Sequence, residues 1–153
     1  MVEVAGIEPG HHVLEPSAGT GNILTAIRNA EPQAKVTAVE INRKLCDLLS
    51  QAHNPRPAGW SILHDDFLTC NGDLGKFDRI VMNPPFADGS DITHIRHAMT
   101  MLKPGGLLVA ICANGPRQSE KLQSIAHTWE ELPADTFKNS GTAVRTALLT
   151  IQN

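Results

Sequence analysis

The chain has 153 residues, of which 41% are hydrophobic, and a formal net charge of −3 at pH 7. This length and apolar content predict a globular chain with a substantial core and exclude an intrinsically disordered protein. The net negative charge and the scattering of the 13 lysines and arginines argue against an autonomous, tight nucleic-acid binder, whose affinity would come mainly from phosphate contacts.

No stretch of the sequence approaches the roughly 18–20 apolar residues of a membrane helix, and the N-terminus lacks a signal-peptide pattern. The three cysteines, Cys46, Cys70 and Cys112, are far apart and do not have a metal-binding spacing. An odd number of dispersed cysteines indicates a reducing compartment. We therefore expect a cytoplasmic protein without a membrane partner.

The predicted elements alternate between strand and helix. Residues 1–6 have the pattern of the end of a helix, which Gly6 or Gly10 terminates. Apolar or β-branched runs predict seven strands: His11–Glu15, Lys35–Glu40, Trp60–His64, Phe77–Met82, Leu107–Ala113, Trp129–Leu132 and Ala143–Ile151. Capped or amphipathic segments predict four further helices: Asn22–Ala30, Arg43–Ala52, Ile92–Leu102 and Pro116–His127.

This alternation predicts an α/β fold with one doubly wound, Rossmann-like sheet of seven mostly parallel strands and helices on both faces. Lys103–Gly106 is predicted to close the helix that precedes the fifth strand, and Phe137–Thr142 to connect a final hairpin. The last strand is therefore expected to run antiparallel. We expect a single domain over residues 1–153, without a second domain for target recognition.

The most informative stretch joins the first strand to the first helix and reads Leu14-Glu15-Pro16-Ser17-Ala18-Gly19-Thr20-Gly21-Asn22. A strand, a glycine-rich turn and a helix form a nucleotide-binding unit, in which the glycines allow a sharp turn and close approach of a ligand. Leu24 stands where the third glycine of G-x-G-x-x-G belongs. The Glu15 carboxylate would repel a pyrophosphate and attract an ammonium group. The loop therefore predicts a nucleoside ligand that carries a cation rather than a dinucleotide.

The second predicted strand ends in Glu40, about 20 residues after the glycine loop, where a ribose-binding acid is expected. Glu40 is therefore predicted to accept hydrogen bonds from two ribose hydroxyl groups. The alternative is a solvated acid at the end of a strand.

A second motif, Asn83-Pro84-Pro85-Phe86, follows the predicted strand Phe77–Met82, about 60 residues after the glycine loop. Ligands of open α/β sheets bind outside the carboxyl ends of the strands, so both motifs are expected to face one crevice. Taken in isolation, these four residues could also form an ordinary turn after a strand.

Together the two motifs resemble the class I S-adenosylmethionine-dependent methyltransferases. They are most similar to the amino-methylating group that includes the DNA adenine-N6 methyltransferases of phages and plasmids, and the resemblance runs from Ala5 to Ile151. It implies S-adenosyl-L-methionine as the cofactor. The cofactor-binding residues are expected to be Glu15, Pro16, Ser17, Ala18, Gly19, Gly21, Glu40, Ile41, Asp66, Phe67 and Asn83.

By the same resemblance, Asp66 is expected against the cofactor's adenine amino group and Phe67 beside its ring, while Asp65 is assigned to a turn. A helix cap at Asp66 and a core position for Phe67 are the alternative.

The Asn83–Phe86 motif predicts a way to activate a poor nitrogen nucleophile. The lone pair of an exocyclic amine or a carboxamide is delocalised, but the Asn83 side-chain oxygen and the Pro84 carbonyl can accept both of its N–H hydrogens. These bonds favour a pyramidal nitrogen whose lone pair is directed at the cofactor's methyl group. Pro84 and Pro85 restrict φ and hold the acceptors in place, and Phe86 offers a face for stacking. No dedicated general base is required, because the ammonium product is strongly acidic.

The motif is shared by DNA adenine, ribosomal RNA base and protein glutamine methyltransferases. The stretch from Phe137 to Val144 is similar to the corresponding region of phage and plasmid adenine methyltransferases, which favours DNA, with the target base flipped into the pocket. Phe137 is predicted to provide a second stacking face, or alternatively to lie at the edge of the core. The alternative substrates are ribosomal RNA bases and a protein glutamine. The alternative function is that of a cofactor-binding module without turnover.

A further expectation concerns the oligomeric state. Related DNA enzymes usually add a recognition region and a leading helix, so we expect a homo-oligomer or a separate recognition subunit.

His94 and His97 lie three apart on a predicted helix, but no further ligands are placed near them. We therefore predict hydrogen-bonded or surface histidines and no metal site, with His94 close enough to the motif to reach the rim of the crevice.

Overall fold

The computed structural model describes residues 1–134, 136 and 144–153. The strands are β1 His12–Glu15, β2 Lys35–Glu40, β3 Trp60–His64, β4 Phe77–Met82, β5 Leu102–Ala113, β6 Thr128–Glu131 and β7 Thr146–Gln152. The α-helices are α1 Val2–Ala5, α2 Asn22–Ala30, α3 Arg43–Ala52, α4 Ser90–Met99 and α5 Pro116–Gln118. A π-helical turn, Ser119–Gln123, continues α5, and short 3₁₀ turns lie at Gly72–Leu74 and Ala87–Gly89.

The strands form one sheet in the order β3-β2-β1-β4-β5-β7-β6. The first five strands are mutually parallel, and β7 runs antiparallel to both β5 and β6. The predicted α/β class and the antiparallel last strand are therefore confirmed. The strand order reverses between β1 and β4, and such a switch point is where open α/β sheets bind ligands at their carboxyl edge.

Two apolar clusters, one on each face of the sheet, form the core. Successive side chains of a strand point to opposite faces, so Val13 belongs to one cluster and Leu14 to the other. Helices α1, α2 and α3 pack in the cluster of Val13, and α4 packs in the cluster of Leu14. A fully buried Leu or Ile contributes about 1.5–3 kcal/mol by leaving water, so these alternating strands stabilise both layers.

Two predicted boundaries were wrong around β5. Helix α4 ends at Met99, before the predicted Leu102, and the Lys103–Gly106 segment belongs to β5 rather than to a closing turn. Long-range backbone pairing is the reason: Gly105 N–H donates to Asn153 O at 2.8 Å, and Asn153 N–H donates to Gly106 O at 3.1 Å. The chain end thereby draws the Pro-Gly-Gly segment into the sheet.

The last predicted helix was also too long. It begins at Pro116 as expected, in the first-turn position that suits proline, but its π-helical continuation ends at Gln123. His127 N–H donates to Thr150 O at 2.7 Å, so the chain already follows β7 at the end of the predicted helix. The predicted hairpin connection Phe137–Thr142 lies outside the described residues.

Among the described residues, no helix is long and apolar enough to cross a membrane.

Candidate functional site: a cleft at the carboxyl edge of the sheet

The carboxyl ends of β1, β2 and β4 surround a cleft of about 490 Å³. Its lining residues are Pro16, Ser17, Glu40, Ile41, Asp65, Asp66, Phe67, Leu68, Asn83, Pro85 and His94. A second pocket, of about 170 Å³, is lined by Glu15, Ser17, Ala18, Gly19, Thr20, Asn22, Ile23 and Asn83. Ser17 and Asn83 line both spaces, so the glycine loop and the Asn83–Phe86 motif meet at one crevice, as the sequence predicted.

The turn of the glycine loop depends on two residues without side chains. Gly19 and Gly21 have φ angles of 54° and 83°, in the left-handed region that favours glycine. A Cβ at Gly21 would lie 2.5 Å from Leu49 Cδ2, whereas at Gly19 the nearest atom is Ser17 O, 4.0 Å away. Gly21 is therefore constrained by its conformation and by its packing on α3, while Gly19 leaves open space beside the loop.

Glu40 holds the glycine loop in place. Its carboxylate is buried and accepts two backbone hydrogen bonds of 2.7 Å, from Gly19 N–H and from Asn42 N–H. Sequence reasoning missed this contact, because Gly19 and Glu40 are adjacent only in the folded sheet. Each carboxylate oxygen can accept a further hydrogen bond, and Glu40 lines the cleft, so the predicted role in ribose binding stays a prediction.

The Glu15 carboxyl group lies in the interior at the end of β1. It is only 1% exposed, and its Oε2 atom has no hydrogen-bond partner among the described residues. Burial, and to a lesser extent the negative charge of Glu40, raise the pKa of Glu15 well above its usual range. The residue therefore combines an unpartnered oxygen with a strong tendency to hold a proton.

Asn83, which lines the same pocket, carries a second unpartnered oxygen. Its Oδ1 atom is buried and, within the described part of the chain, accepts no hydrogen bond. Pro84 is buried, Pro85 is exposed and Phe86 is partly exposed. A buried acceptor without a donor costs about 1–3 kcal/mol, so two such oxygens on residues that line one pocket are consistent with a ligand that supplies donors.

The segment after β3 forms the far wall of the cleft. Asp66 Oδ1 accepts from Leu68 N–H at 2.9 Å, so Asp66 caps a turn and lines the cleft at the same time. Phe67 is a core residue that also lines the cleft. Phe67 therefore occupies the core position that was its alternative, Asp66 caps a turn rather than a helix, and the contacts of both residues with a cofactor stay predictions. Asp65 was predicted to be a loop or turn residue rather than a cofactor-binding one, and it lines the cleft as well.

Helix α4 contributes a histidine to the cleft. His94 is 9% exposed and lines the cleft, and its Nδ1 lies 2.8 Å from Ser90 O. A carbonyl oxygen only accepts, so Nδ1 carries the hydrogen of this bond. His97 Nε2 lies 2.6 Å from Cys70 O, and its ring meets the Phe67 ring edge-on at 4.8 Å. Both histidines are thus hydrogen-bonded, here to backbone oxygens, which is one of the two arrangements that the sequence analysis predicted.

Asp91 is a buried residue near the start of α4, in the segment that follows the motif. It is the second residue of α4, whose N-cap is Gly89, and its Oδ1 accepts from Ile92 N–H at 2.9 Å. The same carboxylate also accepts from Ala113 N–H at 2.9 Å and from Gln118 Nε2 at 3.1 Å. It therefore ties the start of α4, just after the motif, to the end of β5. No local signal identifies these partners, because they come from distant parts of the chain.

Phe137, the predicted second stacking residue, lies outside the described residues.

Comparison with known proteins identifies the family. The methyltransferase small domain (MTS) family matches residues 2–138. The chain is 37% identical over 78 residues to modification methylase CviBIII of Paramecium bursaria Chlorella virus NC1A. It is 34% identical over 77 residues to the tRNA1(Val) (adenine(37)-N6)-methyltransferase of Vibrio parahaemolyticus serotype O3:K6. These alignments cover 51% and 49% of this chain but only 20% and 32% of the two relatives.

A solved structure shares the fold. TrmN from Thermus thermophilus has a TM-score of 0.80 to this chain at 19% identity, covering 99% of this chain and 46% of TrmN. The chain belongs to the methyltransferase small domain family, and the class I S-adenosylmethionine-dependent methyltransferase class predicted from the two motifs is confirmed.

This class has S-adenosyl-L-methionine as its cofactor, and the residues present fit that molecule. The unpartnered Glu15 Oε2 offers an acceptor for its ammonium group, and Gly19 leaves room for close approach to the loop. The larger cleft, bounded by Glu40, Ile41 and Phe67, has space for its nucleoside.

Proposed function

We propose that the protein methylates an exocyclic amino nitrogen, most specifically N6 of adenine in DNA. The observation that carries the proposal is the buried Asn83 Oδ1, which has no partner among the described residues and belongs to a residue that lines the same pocket as Glu15. In this proposal the Asn83 oxygen accepts a hydrogen bond from the substrate, and the Glu15 oxygen accepts one from the cofactor. The cofactor supplies an electrophilic methyl group when bound.

The chain's own residues supply positioning rather than proton transfer. Asn83 Oδ1 and the Pro84 carbonyl accept the two hydrogens of the target amino group and orient its lone pair. Pro84 and Pro85 restrict the backbone beside these acceptors, so little reorganisation is needed when the substrate arrives. Phe86, which is partly exposed, offers a ring face to a planar base.

The choice of adenine in a nucleic acid rests on similarity. The tRNA1(Val) (adenine(37)-N6)-methyltransferase is named for this reaction, and its alignment covers about half of this chain. Modification methylase CviBIII and the resemblance to phage and plasmid enzymes favour DNA over RNA. The chain spans less than a third of the length of these relatives in the two alignments.

A labelling assay tests the proposal. The protein is incubated with S-adenosylmethionine labelled in its methyl group and separate pools of DNA, RNA and protein, and the products are digested and identified by mass spectrometry. We expect label in DNA as N6-methyladenine. Label on adenine in RNA would show that the substrate is RNA rather than DNA. Label on glutamine would contradict the assignment of a nucleic-acid substrate. Cofactor binding without label in any pool would favour a binding module.

Variants of Asn83 connect that activity to the site. Asn83→Ala removes the unpartnered oxygen and is expected to lower kcat by about 10²–10³-fold, the usual effect of removing one preorganised hydrogen-bonding group. Asn71→Ala is the matched control, because Asn71 is exposed and lies outside the cleft lining. Wild-type turnover by Asn83→Ala would exclude the proposed role of this oxygen.

A further inference from the structure

The surroundings of Glu15 leave its carboxyl group without a counter-charge. No cationic side chain of the described residues lies within 4.0 Å of it. The titratable group that acts on it is Glu40 from β2, which is negatively charged, and the backbone N–H of Leu24 in α2 points toward it. Its Oε2 atom is buried and unpartnered within the described chain.

An ionised carboxylate in such a position is unfavourable. Removing the charge from water is costly unless a cation or several donors replace the solvent, and a buried acid takes up a proton instead. Here desolvation dominates and the charge of Glu40 adds to it, and both raise the pKa of Glu15. A neutral carboxyl group removes the unpaired charge from the interior of the empty site.

The cofactor brings the missing cation. Its methionine end carries an α-ammonium group, and the pocket of about 170 Å³ that Glu15 lines lies beside the larger cleft for the nucleoside. A neutral carboxyl group gains little from an ammonium ion, whereas a carboxylate gains a charge-assisted hydrogen bond. Binding therefore favours the ionised form that the empty pocket disfavours.

We propose that Glu15 carries a proton while the cleft is empty and releases it when the ammonium group of the cofactor binds. The O–H bond of Glu15 breaks, the proton passes to the buffer and no electrons are transferred. The pocket thereby selects a cationic amino group, because only a cation compensates for ionising Glu15. This proposal rests on the cofactor class and not on the substrate proposed above.

Two consequences can be measured. Each bound cofactor should release about one proton, and its Kd should fall by about tenfold per pH unit wherever Glu15 is protonated in the empty site. A ligand that has the adenosine part but no amino-acid part should bind without this release, because it offers Glu15 no cation.

Isothermal titration calorimetry of the intact protein tests the proposal. S-adenosylhomocysteine, which cannot be turned over, is titrated at pH 6.5 in buffers of different ionisation enthalpy, and the slope of the binding enthalpy gives the number of protons released. Methylthioadenosine is the control ligand. It contacts the adenosine part of the cleft, including the neighbourhood of His94, so any proton exchange there appears with both ligands and cancels in the comparison.

Glu15→Gln is the decisive variant, since glutamine has the size of the protonated acid and no ionisable proton. Glu120→Gln, at an exposed position, is its matched control. We expect about one more proton released with S-adenosylhomocysteine than with methylthioadenosine in the wild type and in Glu120→Gln, and no difference in Glu15→Gln.

Equal release with both ligands in the wild type would overturn the proposal, as would an unchanged release in Glu15→Gln or a failure of the wild type to bind S-adenosylhomocysteine. If Glu15→Gln binds neither ligand, the two wild-type titrations decide alone. Because the readout is binding, a chain that methylates no adenine still tests this inference.

Discussion

Glu40 Oε2 accepts a 2.7 Å hydrogen bond from the backbone N–H of Gly19, so the acid at the end of β2 fixes the shape of the loop at the end of β1. A second bond of 2.7 Å from Asn42 N–H occupies the other carboxylate oxygen and orients the side chain. The ends of β1 and β2 are therefore joined by a hydrogen bond, and a substitution of Glu40 is expected to change the conformation of the glycine loop.

Replacing Glu40 by glutamine should weaken both the fold and the cofactor site. The amide keeps one acceptor oxygen, but its NH₂ group then faces one of the two backbone donors. Because the residue is buried, we expect a loss of about 1–3 kcal/mol in the free energy of unfolding. Urea unfolding measures this, and calorimetry should show a higher Kd for S-adenosylhomocysteine. Glu130→Gln, at an exposed position of β6, should change neither quantity.

Gly21 and Gly10 form a matched pair for separating backbone strain from steric contact. Their φ angles are 83° and 82°, but a Cβ at Gly21 would lie 2.5 Å from Leu49 Cδ2, while a Cβ at Gly10 meets nothing within 4 Å. Alanine at either position should cost about 1–2 kcal/mol through left-handed strain. Gly21→Ala should lose a further 1–3 kcal/mol, roughly, through overpacking, together with cofactor affinity. Equal unfolding free energies of the two variants would contradict the Leu49 contact.

The buried carboxylate of Asp91 should stabilise the segment that follows the Asn83–Phe86 motif. In Asp91→Asn, one of the donors Ala113 N–H, Ile92 N–H or Gln118 Nε2 must face an amide NH₂ group. We expect a loss of about 1–3 kcal/mol in unfolding free energy and a lower kcat, since the start of α4, which follows Asn83–Phe86, loses hydrogen bonds to β5 and α5. Asp73→Asn, at an exposed position, controls for the loss of charge. An unchanged kcat in a destabilised Asp91→Asn protein would limit the role of Asp91 to folding.

Acid should destabilise the fold through His53. This residue is 4% exposed and packs near Trp60, with a ring-centroid distance of 5.3 Å. Desolvation, and then the charge of Arg28, lower the pKa of His53 in the folded state. The unfolded chain therefore binds the proton more readily. Stability is lost as the pH falls through about 6.5, the value of an unfolded histidine, and the loss levels off below the folded pKa.

The measurement compares urea unfolding of the wild type and His53→Leu from pH 7.5 to 5. The comparison is needed because the lowered pKa of His12 adds a loss of stability of the same sign, and the raised pKa of Glu15 acts in the opposite direction over this range. The wild-type free energy should fall relative to that of His53→Leu as the pH decreases. His127→Leu, at an exposed position, should follow the wild type. Parallel curves for the wild type and His53→Leu would show that His53 is not responsible.

The sequence by itself determined the elements whose signals are local. Alternating and apolar runs placed β2, β3 and β4 at their observed bounds, because β-branched and aromatic residues favour extended backbone wherever they are packed. The glycine loop and the Asn83–Phe86 motif were also recognisable from the sequence, because the restricted φ of proline and the conformational freedom of glycine are properties of single residues.

Only the tertiary structure decided which groups meet. The placing of Lys103–Gly106 in β5 depends on backbone pairing with Asn153, the last residue of the sequence. The hydrogen bonds of the buried Asp91 depend on donors from β5 and α5. The unpaired state of Glu15 likewise depends on what surrounds the end of β1, including the charge of Glu40. Hydrogen bonds and charge interactions act between neighbours in space, and that neighbourhood exists only once the sheet has formed.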